Sequence, residues 1–136
     1  MMRSLRSEIL DRPLLSTSSE LITYLKFAMS RSEVEEVRVL CLNGANRLIR
    51  DEVIAIGTVN EAPVYPREII KRALACGATA LILVHNHPSG DPTPSSADIA
   101  VTQRLVRACR EIDIAVHDHL IITQTSWTSL RREGLL

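Results

Sequence analysis

Aromatic residues are scarce: one Trp, one Phe and two Tyr in 136 residues. Net charge is equally low, with 16 basic and 16 acidic side chains cancelling. A neutral chain with a single Trp is poorly equipped for strong, salt-sensitive binding to nucleic acid or for stacking on bases. The exception to look for is a local basic patch, for which Arg104, Arg107, Arg110, Arg131 and Arg132 are the candidates. The three cysteines, Cys41, Cys76 and Cys109, are widely spaced and form no C-x-x-C pair. That excludes a disulfide framework and implies reduced, buried thiols in a cytoplasmic protein. The N-terminus, "MMRSLRSEILDRPLLSTSSE", has charges scattered through it and no apolar core, so it does not read as a secretory signal. No apolar run is long enough for a membrane span.

What is present is ordinary for one globular domain: 46% apolar and 24% charged residues. Residues 1–16 have no clean period and are expected to form an N-terminal arm; the domain is expected over residues 17–136. Serines suited to N-capping precede "ELITYLKFAMS", in which Leu21, Ile22, Leu25, Ala28 and Met29 share a helical face. "VEEVRVLCLN" and "RLIRDEVIAIGT" flank the turn residues "NGAN" and predict a hairpin. Pro66 at the start of "PREIIKRALACG" and Gly77 at its end bound a second helix. "TALILV" is wholly apolar, the pattern of a central strand covered on both faces. Val101, Leu105, Ala108, Cys109 and Ile112 recur at helical spacing, and "IAVHDHLIIT" predicts a last strand before a short tail. The order α-β-β-α-β-α-β points to an α/β sandwich around a mixed sheet.

The chemistry is concentrated in "LVHNHPSGDPTPSSAD", Leu83–Asp98. His85 and His87 are two apart on an extended segment, so both rings face one side and can reach one ion. They stand at the carboxyl end of the apolar strand, where open α/β sheets form their ligand crevices. Asp98 falls in the first turn of the next helix. Two imidazoles and one carboxylate leave a fourth tetrahedral position on zinc open, as in catalytic sites. Spacing alone also fits a simpler reading, in which Ser95-x-x-Asp98 is a capping box and nothing more. Asp91 is a rival carboxylate, although turn chemistry in a Gly/Pro loop explains it.

His85-x-His87, Ser95 and Asp98 together are similar to the JAMM (MPN+) metalloprotease signature, a glutamate followed by H-x-H-x7-S-x2-D. The fuller string, with "GTVNEAPVYPREIIKRAL" before it and "DHLIIT" and "REGLL" after it, resembles the RadC family, the bacterial branch of these domains; the likeness runs from Ser19 to Leu136. It implies an MPN/JAB fold of the cytidine-deaminase-like kind, with His85, His87 and Asp98 holding Zn2+. Ser95 matches the serine that helps stabilise the oxyanion. The upstream glutamate, general base and then general acid, comes from the first strand, where the family reads E-x-(aromatic)-x-x-L-x-L. In "EEVRVLCL" this places Glu35 five residues before Leu40, with Val37 where an aromatic is preferred. Glu35 is the first choice, Glu36 the second because a one-residue slip exchanges faces, and Glu52 the third.

The implied function is zinc-dependent hydrolysis of a peptide or isopeptide carbonyl, with a protein or peptide as substrate. The alternative is a DNA-repair or recombination accessory that binds nucleic acid or a repair protein and uses the metal structurally. A homodimer fits either reading. Longer members carry an N-terminal helical domain for which this sequence has no room, so its partner recognition is expected to differ from theirs. His117 and His119 form a second H-x-H, which reads either as another metal site or as a "DH" pair orienting a ligand imidazole. Trp127 is expected to pack the C-terminal tail.

Overall fold

A computed structural model describes residues 17–29, 32–57 and 63–136. The expected N-terminal arm, residues 1–16, lies outside the described residues. Ser18 opens α1 (Ser19–Met29), its hydroxyl accepting from the Leu21 N–H at 3.3 Å. β1 (Glu36–Leu42) and β2 (Leu48–Ile56) form the hairpin. In its turn the Asn43 side-chain oxygen accepts from the N–H groups of Ala45 and Arg47, and Asn46 takes a left-handed φ of 58°. α2 (Pro66–Ala75) starts on its proline and stops before Gly77, whose φ of 70° suits a helix terminus. β3 (Ala80–Asn86), α3 (Ser96–Arg110) and β4 (Ala115–Ile122) follow.

The strands lie in the order β2-β1-β3-β4 with one further strand, β5 (Trp127–Ser129), at the edge beyond β4. β3 and β4 are parallel and the other pairs antiparallel, so the expected mixed sheet is what forms. Every residue of β3 is buried, which is why its sequence shows no polar alternation. On one face, Leu21, Leu25 and Met29 of α1 pack against Leu40, Leu42, Ile82, Val84, Leu120 and Ile122. On the other, Ile69 and Ala73 of α2 and Leu105 and Cys109 of α3 cover Val37, Val39, Leu81 and Leu83. Among the described residues no helix is long and apolar enough to cross a membrane.

The structure amends the sequence reading in three places. The tail is not featureless: it contributes β5, too short at three residues to show a period. Ile112 lies past the end of α3 and is 42% exposed, so it does not belong to the helix's apolar stripe. Cys41 and Cys109 are buried as expected, but Cys76 is only half-buried, packed against the same apolar cluster at the end of α2; all three thiols stay free. Burial, and then the neighbouring Cys76 thiol, push Cys41 up to about 12.

Ile82 is fully buried at the centre of the α1 face. Ile82→Ala is expected to cost about 2–5 kcal/mol, the range for an aliphatic truncated in a packed core. Urea unfolding followed by circular dichroism measures it.

Candidate metal centre

Strand alternation aims the site residues. Leu81 and Leu83 face α2 and α3, so His85, next in that series, faces the same way. His87 lies just past the strand, where its N–H still donates to the Ile122 carbonyl of β4 at 2.9 Å. Its ring therefore keeps the orientation of His85, and the two Nε2 atoms stand 2.8 Å apart.

Asp98 arrives from the other side, on the first turn of α3. Ser95 is the N-cap: its Oγ accepts from the Asp98 N–H at 3.0 Å, and Asp98 Oδ2 accepts from the Ser95 N–H at 2.8 Å. The capping box and the approach to the histidines coexist, because the same Oδ2 lies 3.4 Å from both His85 Nε2 and His87 Nε2.

Glu35 precedes β1. Val37 and Val39 face α2 and α3, so Glu35, two residues earlier, shares their side; Val37 pairs with His85 in the register. Glu35 Oε1 stands 3.7 Å from His87 Nε2, and one ligand atom each from Glu35, His85 and His87 falls within 4.8 Å of the others. Glu36, by alternation, points to the opposite face. Glu52 on β2 is engaged by Arg72 at 2.7 Å and Arg50 at 3.3 Å. The structure thus brings Glu35, His85, His87, Ser95 and Asp98 together and leaves Glu36 and Glu52 apart from them.

Hydrogen-bond polarity tests whether this group suits a cation. His87 Nδ1 lies 2.9 Å from the carbonyl oxygen of Asp91, which only accepts, so Nδ1 carries the proton. The lone pair of a neutral His87 is then on Nε2. It meets His85 Nε2 and a carboxylate oxygen, a convergence of electron pairs that a cation satisfies. In a tetrahedral zinc site with bonds of about 2.0–2.1 Å, ligand atoms are separated by about 3.3 Å. The two 3.4 Å separations match that spacing, and the 2.8 Å one must open by about 0.5 Å. The electrostatics favour positive charge at this centre, which a proton on His87 supplies as well as a cation does. Burial lifts the Asp98 carboxyl, but contacts with His85 and His87 outweigh it and hold the group well below the usual carboxylate range. Contact with Asp98 in turn raises the His87 imidazole, against the effect of burial.

Other polar residues hold these groups in place. Asn86, between the two histidines and pointing the other way, grips both neighbours of Glu35: its Oδ1 accepts from the Glu36 N–H at 2.7 Å and its Nδ2 donates to the Val34 carbonyl at 3.0 Å. Nothing in the sequence distinguishes this asparagine from a turn residue. Asp91 contributes its main-chain oxygen to His87, while its carboxylate accepts from the Thr93 N–H at 3.0 Å. His119 Nε2 lies 2.6 Å from His85 Nδ1, so the "DH" histidine stands behind a ring of the site.

A second metal held by His117 and His119 is not what forms. A bulge interrupts the β3–β4 register, with Leu81 opposite Val116 but Ile82 opposite Asp118, so His117 is an extra residue and the expected same-side geometry fails. His117 pairs instead with Asn46 Oδ1 at 2.9 Å. Trp127 packs against the α1-side core beneath Arg132. A cavity of about 190 Å³ opens beside His87, lined by Met29, Asn86, Pro88, Ile122 and Thr123, and does not include Glu35, His85 or Asp98.

A curated relative from Rhodobacter capsulatus, named only as a UPF0758 protein, is 52% identical over 134 residues; the alignment spans 98% of this chain and 63% of the relative's length. The sequence profile of the RadC-like JAB domain matches residues 15–135, and the chain therefore belongs to the RadC-like JAB domain family.

Proposed function

We propose that the protein is a zinc-dependent hydrolase that cleaves a peptide or isopeptide bond at the centre formed by Glu35, His85, His87, Ser95 and Asp98. The observation that carries this reading is the convergence of the two Nε2 atoms and Asp98 Oδ2 at 2.8 and 3.4 Å, with a further carboxylate beside them.

Zinc, when bound, supplies a Lewis acid that lowers the pKa of a water to about 7 and polarises a carbonyl. His85, His87 and Asp98 are the residues that would hold it. Glu35 reaches the centre from the residue just before β1 and would take the proton of the attacking water and deliver it to the leaving amine. Ser95 accepts the Asp98 N–H through its oxygen, which leaves its single hydroxyl proton to donate where negative charge develops on the carbonyl oxygen. The helix N-terminus at Ser95 and Ser96 adds a favourable field for that charge.

Metal analysis of the purified protein is expected to find one zinc per chain, removed by a chelator. Hydrolysis of a fluorogenic peptide carrying a lysine ε-isopeptide bond is expected to fall with the zinc and return on its re-addition. Metal-free protein as purified, or hydrolysis indifferent to chelation, overturns the reading.

A further inference from the structure

Behind His85 runs a buried row of polar groups that the reaction does not use directly. Thr102 is on α3, one turn after Asp98, and His119 is on β4; Thr102 is fully buried and His119 nearly so. Thr102 Oγ1 stands 2.6 Å from the Asp98 main-chain oxygen and 2.6 Å from His119 Nδ1. His119 Nε2 stands 2.6 Å from His85 Nδ1.

Counting protons fixes the direction of every bond. The Asp98 carbonyl only accepts, so the one hydroxyl proton of Thr102 goes to it. His119 Nδ1 must then be the donor to Thr102 Oγ1. His119 is 1% exposed and its two ring nitrogens meet the Thr102 hydroxyl and the His85 ring, so a charge there would be buried without a counter-ion; the neutral imidazole has one N–H. Its Nε2 is therefore bare and accepts from His85 Nδ1–H. This leaves the lone pair of His85 on Nε2, the atom that faces His87 and Asp98. A threonine within a helix often bonds back to the carbonyl four residues earlier. Here the same oxygen also receives a histidine, which turns a local contact into the start of a chain.

We propose that Thr102 and His119 are positioning residues: together they fix His85 in its Nδ1–H tautomer, aim its Nε2 at the centre, and couple the strand ligand His85 to the helix ligand Asp98. The contacts close a ring from the Asp98 carbonyl through Thr102, His119 and His85 back to Asp98 Oδ2. This inference rests on the reading of His85 and Asp98 as metal ligands.

The test compares Thr102→Val with Thr102→Ser. Valine keeps the shape but offers no acceptor, so His119 Nδ1–H is left unpaired. His119 then gains by moving its proton to Nε2, where it donates to His85 Nδ1, and the proton of His85 shifts to Nε2, into the centre. Long-range 1H–15N spectra of chelator-treated full-length protein are expected to show His85 protonated on Nδ1 in the wild type and in Thr102→Ser, and on Nε2 in Thr102→Val. Zinc affinity, by chelator competition, is expected to weaken about 10–100-fold in Thr102→Val and to be restored in Thr102→Ser.

His119→Gln, which keeps an acceptor oxygen for His85, paired with His119→Leu, which does not, gives the same comparison if Thr102→Val fails to fold. A purely structural role lowers the melting temperature and leaves the His85 tautomer unchanged. That result, or a wild-type His85 protonated on Nε2, overturns the proposal. Wild-type protein that takes up no zinc would instead overturn the ligand assignment, while the tautomer comparison still decides whether Thr102 and His119 set the His85 ring.

Discussion

Glu35→Gln is expected to lower the rate of hydrolysis per bound zinc by about 10²–10⁴-fold while leaving the zinc content of the protein unchanged. Glutamine preserves the size of the side chain and its capacity to hydrogen-bond, but it cannot take a proton. The loss therefore isolates the acid–base role. The geometry allows a rival, because Glu35 also lies close enough to His85 and His87 to serve as a ligand. Two observations favour Asp98 as the ligand: it is nearer, at 3.4 Å against 3.7 Å, and it contacts both rings. The two roles separate in the measurement. If Glu35 is a ligand, Glu35→Gln loses zinc together with activity, and metal analysis beside the rate shows it. Glu36→Gln is the matched control. Its side chain leaves β1 on the opposite face, so both zinc content and rate are expected to stay near those of the wild type.

The choice between Glu35 and Glu36 shows how far the sequence reaches. Period-2 alternation makes one of them face the centre, but which one depends on the register of β1 against β3, and register is a property of the folded sheet. Val37 opposite His85 decides it. β3 was legible because burial on both faces strips a strand of polar residues. The capping box was legible because Ser95 and Asp98 are neighbours along the chain and their spacing carries the meaning. The supporting residues were not. Asn86 works on a backbone segment 50 residues away, and Thr102 meets a histidine 17 residues on. In the sequence each looks like an unexceptional polar residue, at a strand end or in a helix. The bulge beside His117 is the reverse case: a regular H-x-H pattern whose geometry is broken by one unpaired residue in β4. Local patterns thus located the groups that meet the centre and offered His119 as a support behind them, whereas only the fold identified Asn86 and Thr102.

Asp98 has two functions in one side chain, and its variants are expected to pull them apart. As the third helical residue it closes the capping box with Ser95, and as a carboxylate it faces the two imidazoles. Asp98→Ala removes both. It is expected to lose about 1 kcal/mol of stability measured in chelator, from the cap alone, and to bind zinc more weakly by over about 100-fold, beyond the range typical for residues that only orient a ligand. Asp98→Asn keeps an oxygen that can accept from the Ser95 N–H, so most of the cap survives. It loses the charge, however, and with it the strongest reason for a cation to sit between His85 and His87. The expected signature is therefore a small change in stability without metal and a large loss of zinc affinity. A second reading follows from mass action. Zinc present at about 100 times its dissociation constant stabilises the wild type by about 2.7 kcal/mol, and a variant that no longer binds gains none of this. Urea unfolding of the wild type, Asp98→Asn and Asp98→Ala, each with zinc and with chelator, measures both functions in one series. Equal stabilisation of Asp98→Asn and the wild type by zinc would show that the carboxylate is a cap and not a ligand, and would pass the third ligand position to Glu35.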